Sequence, residues 1–277
     1  MHKVLCSTGA LITRKNGRDH RLLAGFAEQL HCDGFEFMLY DSWYDKLESI
    51  ADDVKAMGLD IPADDVKAMG LDIPAVHCEK SIGELIAAED DLAYERFEMN
   101  CKAAERVGAK LLVLHLWNGL VSDSNFGANL RAYGRLADMA AEHGLTLTVE
   151  NVVCNHSTPA AHLKELAEEY PHIPFTFDTK MAEFHGELDK VYDEKLWTDN
   201  IRHLHINDYG GGVKDWSDLR TLHFGEGHVD FERFFAFERK MGYSGDFTVE
   251  ASSVRDDGSV DIDKLNRDFL IIKGHIA

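Results

Sequence analysis

The segment LTLTVENVVCNHSTPAAHLKELAEEYPHIPFTFD, residues 145–178, holds two short apolar runs, LTLTVE (145–150) and FTFD (175–178), each closing on a carboxylate. A longer amphipathic stretch separates them, so the segment reads as strand, helix, strand. Runs this short and this rich in Val, Leu, Phe and Thr are those of strands buried in a parallel sheet. The same unit recurs in both directions. KVLCS (3–7), FEFML (35–39), PAVHCE (74–79) and LLVLHL (111–116) precede it, and HLHIND (203–208) and DFTVE (246–250) follow. Two of the helical patterns, HRLLAGFAEQLHCDG and NLRAYGRLADMAAEHG, end in Gly, a common helix stop. Strict strand–helix alternation along all 277 residues predicts an α/β fold, a single-domain (β/α)8 TIM barrel over 1–277. The competing architecture is an open doubly wound sheet, but STGAL follows the first strand where a GxGxxG turn would be wanted.

Composition narrows the function. A hydrophobic fraction of 45% and a charged fraction of 28% are those of an ordinary soluble globule. The formal net charge of -20, with no Lys/Arg-rich run, argues against a nucleic-acid partner, because phosphate binding depends on clustered cations. No apolar stretch approaches the roughly 18 residues of a membrane span, and MHKVLCSTGALITRKNG does not read as a signal peptide. Five cysteines, odd in number and without a CxxC spacing, read as reduced thiols of a cytoplasmic protein.

One stretch breaks the pattern: ADDVKAMGLDIP occurs twice in tandem over residues 51–74, between the second helix and the third strand. Two identical copies found nowhere else are not a solenoid, whose repeats recur and drift. Within a continuous helix, twelve added residues would turn the apolar stripe about 120° off the core face. The expectation is therefore a broken element. One copy completes the helix, and the other forms an extra turn and short helix on the outer or lower side, away from any site.

In a barrel of this kind the site lies at the C-terminal ends of the strands. The fifth strand ends in Glu150, the sixth in Asp178 and the eighth in Glu250, while the seventh carries His205. Carboxylates that follow Val and Phe are costly to bury unless they are paired or metal-bound. Three of them converging with an imidazole suit a divalent cation with open positions for substrate. His77 and His115, near the ends of the third and fourth strands, read equally as site residues or as hydrogen-bonded core histidines.

At these residues the chain resembles the xylose isomerase-like TIM barrel superfamily, in particular its sugar phosphate isomerase/epimerase branch. LTVEN (147–151), FTFD (175–178), HLHIND (203–208), LHFGEGHVDF (222–231) and DFTVE (246–250) carry the resemblance. It implies that Glu150, Asp178, His205 and Glu250 hold one divalent metal, manganese in first place, with magnesium, cobalt or zinc as alternatives. It also implies that Glu150 and Glu250 flank the substrate carbon and exchange its proton. The activity so implied is an isomerase or epimerase of a small sugar or polyol derivative. A metal-dependent dehydratase of a keto-polyol, or an inactive barrel acting as a binding protein, fits the same ligands. The partner is then a small-molecule sugar or polyol; a homo-oligomer stays open.

Further substrate contacts are read around the mouth at His77, His115, Trp117, Asn207 and His223. Trp117 reads equally as a sugar platform or as loop packing. The loop after the seventh strand, with glycines 210 to 212, reads as a lid. Arg14 and Lys15 on the first loop read as a solvated charge pair before a phosphate contact. Many relatives place a histidine three residues after the sixth-strand aspartate. Met181 stands there in this chain, and His185, one turn later, is the candidate replacement.

Overall fold

The computed structural model describes residues 2–57, 71–119 and 122–276. Its strands are β1 (Val4–Ser7), β2 (Gly34–Met38), β3 (Ala75–His77), β4 (Leu111–Leu114), β5 (Thr146–Glu150), β6 (Phe175–Asp178), β7 (Ile201–His205) and β8 (Asp246–Val249). They pair in parallel in chain order, and β8 returns to β1, closing the barrel. The helices are α1 (Leu22–Ala27), α2 (Leu47–Ala56), α3 (Ser81–Ala87), α4 (Leu92–Val107), α5 (Phe126–Glu142), α6 (Pro159–Glu169), α7 (Thr179–Phe184), α8 (Glu194–Asp199), α9 (Phe231–Met241) and α10 (Ile262–Ile276). The predicted (β/α)8 barrel is thus observed, with paired helices after β3 and β6. Left-handed residues split those pairs: Glu89 (φ 57°) follows α3 and Gly186 (φ 62°) follows α7. Among the described residues, no helix is long and apolar enough to cross a membrane. All five cysteines are free thiols.

Strand alternation sorts the side chains. Leu147, Val149, Phe175, Phe177, Leu204, Phe247 and Val249 are buried between the sheet and the helix ring. The alternate positions enter the barrel and are polar. Thr148 and Thr176 share a 2.7 Å hydroxyl contact, and Thr248 donates to Glu36 at 3.0 Å. Helix α5 answers from outside with Asn129, Tyr133, Leu136 and Ala140 on one buried stripe, the spacing of an amphipathic helix. Gly144 (φ 68°) follows α5 as the expected stop. Gly34, the other expected stop, instead opens β2. A Cβ there would meet the Asp72 carbonyl at 2.7 Å, so close backbone approach explains the glycine.

The duplicated block is divided between two elements. ADDVKA of the first copy completes α2, and LDIP of the second leads into β3, burying Ile73. The backbone N–H of Leu71 donates to the Met57 carbonyl at 3.2 Å, so the chain leaves and returns at one point. The expected extra turn and short helix falls on 58–70, outside the described residues. This junction lies at the N-terminal end of β3, the opposite end of the barrel from Glu150 and Asp178. Deleting one copy, residues 63–74, would leave a single glycine between a carbonyl and an amide that already bond, a span a three-residue turn closes. The shortened chain is expected to fold to the same barrel. Its melting temperature should stay within a few degrees of the parent's; a severe loss would give the block a role.

Candidate active site

At the C-terminal mouth, donor atoms of Glu150, Asp178, His205 and Glu250 lie within 4.8 Å of one another. Each arrives by the alternation that places it inward at or just past a strand end. His205 Nδ1 sits between two carboxylates, 3.3 Å from Glu150 Oε1 and 3.4 Å from Glu250 Oε2. Yet Glu150 Oε1 and His205 Nδ1, both buried, have no well-formed hydrogen bond among the described residues. Ligand atoms that face one another without bonding are what a cation between them requires. Three carboxylates and one imidazole suit a divalent ion of intermediate hardness.

Neighbouring side chains hold the four in place. Asn207 is fully buried: its Nδ2 donates to Asp178 at 3.0 Å and to Glu250 at 3.4 Å, and its Oδ1 accepts from the Glu250 backbone N–H at 2.8 Å. Asn151 Oδ1 accepts from the Asp178 N–H at 2.6 Å. His77 Nε2 and His115 Nε2 both reach Glu150 Oε2, at 3.2 and 2.9 Å. On the far side of its ring, His205 Nε2 lies 3.1 Å from Glu36, which also holds His203 at 2.8 Å.

Burial and charge pull the titrations in opposite directions. Burial lowers the His115 imidazole to about 4, only partly offset by Glu150, so this ring is neutral. Burial also disfavours His205 as imidazolium, but Glu36, Glu250 and Glu150 together raise it well above its ordinary value. Against the cost of burial, the His205 charge holds Glu250 down to about 2. Burial pushes Asp178 up to about 6, with Lys180 opposing and Glu150 and Glu250 adding like-charge repulsion. The cluster is short of positive charge.

The other anticipated contacts divide. His77, His115 and Asn207 join the cluster, all three as supports of its carboxylates. Trp117 does not form a platform: it is fully buried, donating to the Val152 carbonyl at 3.1 Å and packing edge-on against Phe126. His223 is held away by α10, with Nδ1 2.6 Å from Asp268 and Nε2 3.3 Å from Ser253 Oγ. His185 Nε2 accepts from the Cys154 N–H at 3.0 Å, which leaves its buried Nδ1 without a partner among the described residues. Lys15 pairs with Asp256 on an exposed loop. The base of the loop after β7 is pinned, because Asp208 accepts from the N–H groups of Tyr209, Gly225, Gly227 and Val229. Glu36 and His203 were not singled out from the sequence. Their signals were a lone carboxylate inside FEFM, and a histidine two residues before His205, hence on the same strand face.

The family model described as xylose isomerase-like TIM barrel matches residues 25–269. No curated protein sequence matches the chain. Solved structures do, at low identity and over nearly the full length. The D-allulose 3-epimerase from Methylomonas sp., crystallised with D-allulose, is 17% identical with a TM-score of 0.69, covering 99% of this chain and 97% of its own. An L-ribulose 3-epimerase is 15% identical with a TM-score of 0.71, covering 100% and 95%. An IolI protein with a bound zinc atom is 14% identical with a TM-score of 0.70, covering 99% and 96%.

Glu36 offers a test of the cluster that needs no ligand. Replacing it with Ala would leave His203 and His205 buried without the carboxylate they share, and breaking a buried pair costs about 3–5 kcal/mol. For a chain of this size the expected fall in melting temperature is on the order of 10 °C. A variant that melts with the parent would show that the histidines do not depend on it.

Proposed function

The chain belongs to the xylose isomerase-like TIM barrel family, and from that premise we propose a metal-dependent isomerase or epimerase of a small sugar or polyol derivative. The single observation that carries this reading is the convergence of Glu150, Asp178, His205 and Glu250, with Glu150 Oε1 and His205 Nδ1 facing each other unbonded. These four would hold one divalent cation, manganese in first place, with magnesium, cobalt or zinc as alternatives. When bound, such an ion supplies Lewis-acid stabilisation of the negative charge that develops on substrate oxygens.

The residues do the rest. Glu150 comes from β5 and Glu250 from the end of β8, so the two approach from different sides of the ring, with His205 between them. A proton on carbon next to a carbonyl can then be taken by one carboxylate and returned by the other on the opposite face, which inverts that centre. Return by the same carboxylate to the neighbouring carbon would instead interconvert aldose and ketose. Oε2 of Glu150 is engaged by His77 and His115, which fixes the orientation of its carboxylate. Asn207 fixes the orientation of Asp178 and Glu250 through both ends of its amide. The structural relatives that are sugar epimerases support this reading through a shared fold.

Three outcomes are expected. Purified protein should take up about one divalent ion per chain, and Asp178→Ala should abolish this; a stoichiometric ion in that variant would sink the ligand assignment. In deuterated water, metal-loaded protein should label ketoses or keto-polyols beside the carbonyl. Glu150→Gln and Glu250→Gln should each keep the ion but lose labelling by at least about a hundredfold, within the range of acid–base contributions. Retained labelling in Glu250→Gln refutes the two-carboxylate mechanism. Finally, Glu36, Glu250 and Glu150 raise His205 above its ordinary value against the cost of burial, and a ligating imidazole must be neutral, so uptake should tighten as pH rises. Affinity independent of pH between 6 and 8 contradicts it.

A further inference from the structure

A second cluster of ligand-type side chains takes no part in proton transfer. Donor atoms of Asp123, Cys154 and His162 fall within 4.8 Å of one another, and all three residues are buried. Asp123 comes from the short turn Ser122–Asn125 after β4, Cys154 from the loop after β5, and His162 from the first turn of α6. His162 is only 4% exposed, and neither of its ring nitrogens makes a hydrogen bond among the described residues. The ring is nevertheless held in place, stacked on Phe126 with centroids 3.6 Å apart and edge-on to Trp117 at 5.0 Å. Its Nε2 faces Asp123 Oδ2 at 3.6 Å, too long for a hydrogen bond.

A neutral imidazole has one N–H and one lone pair, and leaving both buried without partners is costly. Asp123 is aimed by its own bonds. It accepts from the backbone N–H groups of Asn155, His156 and Ser157 at 3.0, 2.9 and 3.0 Å. These occupy three of the roughly four lone-pair positions of a carboxylate and leave one open. The Cys154 thiol makes a weak contact, 3.5 Å to the Val152 carbonyl. Oxygen, nitrogen and sulfur thus face one another without bonding. Two ligands of one tetrahedral ion, with bonds of about 2.0–2.3 Å, stand close to the separation seen between His162 and Asp123. Charge agrees with this: one thiolate, one carboxylate and one neutral imidazole cancel a divalent cation, so the occupied cluster is neutral where it is buried.

We propose that Asp123, Cys154 and His162 bind a zinc ion, at a place that shares no ligand with the cluster at the barrel mouth. Sulfur and nitrogen with a single carboxylate select zinc over manganese or magnesium, which prefer oxygen. Binding releases the thiol proton to solvent, and the fourth position of the ion is left to water. The ion ties the loops after β4 and β5 to α6. Because Cys154 follows Glu150 by only four residues, the tie steadies the chain just past a strand end that carries the chemistry. Manganese, which thiolate does not select, still counts only the ion at the barrel mouth.

Cobalt(II) tells the two places apart, because the ligands at the mouth are oxygen and nitrogen, whereas cobalt bound to thiolate absorbs in the near ultraviolet by charge transfer from sulfur. Reduced, metal-free protein is titrated with cobalt(II) and followed by absorption. Wild type is expected to take up about two ions per chain, one of them raising the sulfur band. Cys154→Ser should lose the band and keep the ion at the mouth, and Asp178→Ala should keep the band. Zinc should displace the sulfur-bound cobalt and bleach the band, while an equal concentration of manganese should not. Absence of the band from wild type overturns the proposal. So does a band that survives in Cys154→Ser, or one that manganese bleaches as readily as zinc. If Cys154→Ser does not fold, the band is read in His162→Gln, where its affinity for cobalt should fall at least about tenfold; unchanged affinity overturns the proposal equally. Failure of the functional reading would show differently, as absence of deuterium exchange whether or not the sulfur band forms.

Discussion

Glu36 is a carboxylate with no exposed surface in the middle of a closed barrel, and the geometry of the site depends on how it is satisfied. A buried carboxylate is tolerable only with partners that bring charge or hydrogen-bond donors. Glu36 takes His203, His205 and Thr248, contributed by β7 and β8 across the interior from β2. It thereby orients the His205 ring so that Nδ1 faces Glu150 and Glu250. A carboxylate behind an imidazole is the usual means of fixing the tautomer and direction of a metal-binding histidine. The choice of Glu in an otherwise apolar strand follows from that need. Replacement by a hydrophobic residue would leave those three side chains without their shared acceptor and release the ring.

The same arrangement explains why the two faces of the strands differ. Packing against the helices is left to Leu147, Val149, Phe175, Phe177 and Phe247, while the inner face carries threonines, histidines and carboxylates that bond to one another. The stabilising burial is therefore outside the barrel and the chemistry inside it. Strand register couples the two, since a slip by one residue would exchange the faces.

This sets what the sequence could disclose. The eight strands were legible because each is a short apolar run. The three converging carboxylates were legible because each stands at the end of such a run, where a charge is conspicuous, and His205 because it is carried on the strand between them. Glu36 and His203 were not legible as a pair: 167 positions separate them, and only barrel closure brings β2 opposite β7. Trp117 went the other way. An indole after a strand is equally at home on a sugar or in a core, and its contacts with Val152 and Phe126, set by the loop after β5 and by α5, decide for the core. The duplicated block was legible as foreign to the pattern, and its division between α2 and the entry to β3 reflects the same separation of ends. Length can be added where chain enters the barrel from below without displacing a residue at the mouth.

Electrostatics gives the site its bias toward a cation. Glu150, Asp178 and Glu250 bring carboxylate oxygens within 4.8 Å of one another and of His205, and against the cost of burial Glu36, Glu250 and Glu150 raise that imidazole well above its ordinary value. One imidazole does not balance three carboxylates, and the shortage is visible at Asp178, raised to about 6 by burial and by its two like-charged neighbours. Imidazolium at His205 and an ion bound at its Nδ1 exclude one another, because both need the same lone pair. The cluster therefore has two ways to relieve its repulsion, protonation or cation binding, and they compete at one atom. What leaves these carboxylates poorly satisfied is what suits the cluster to a cation.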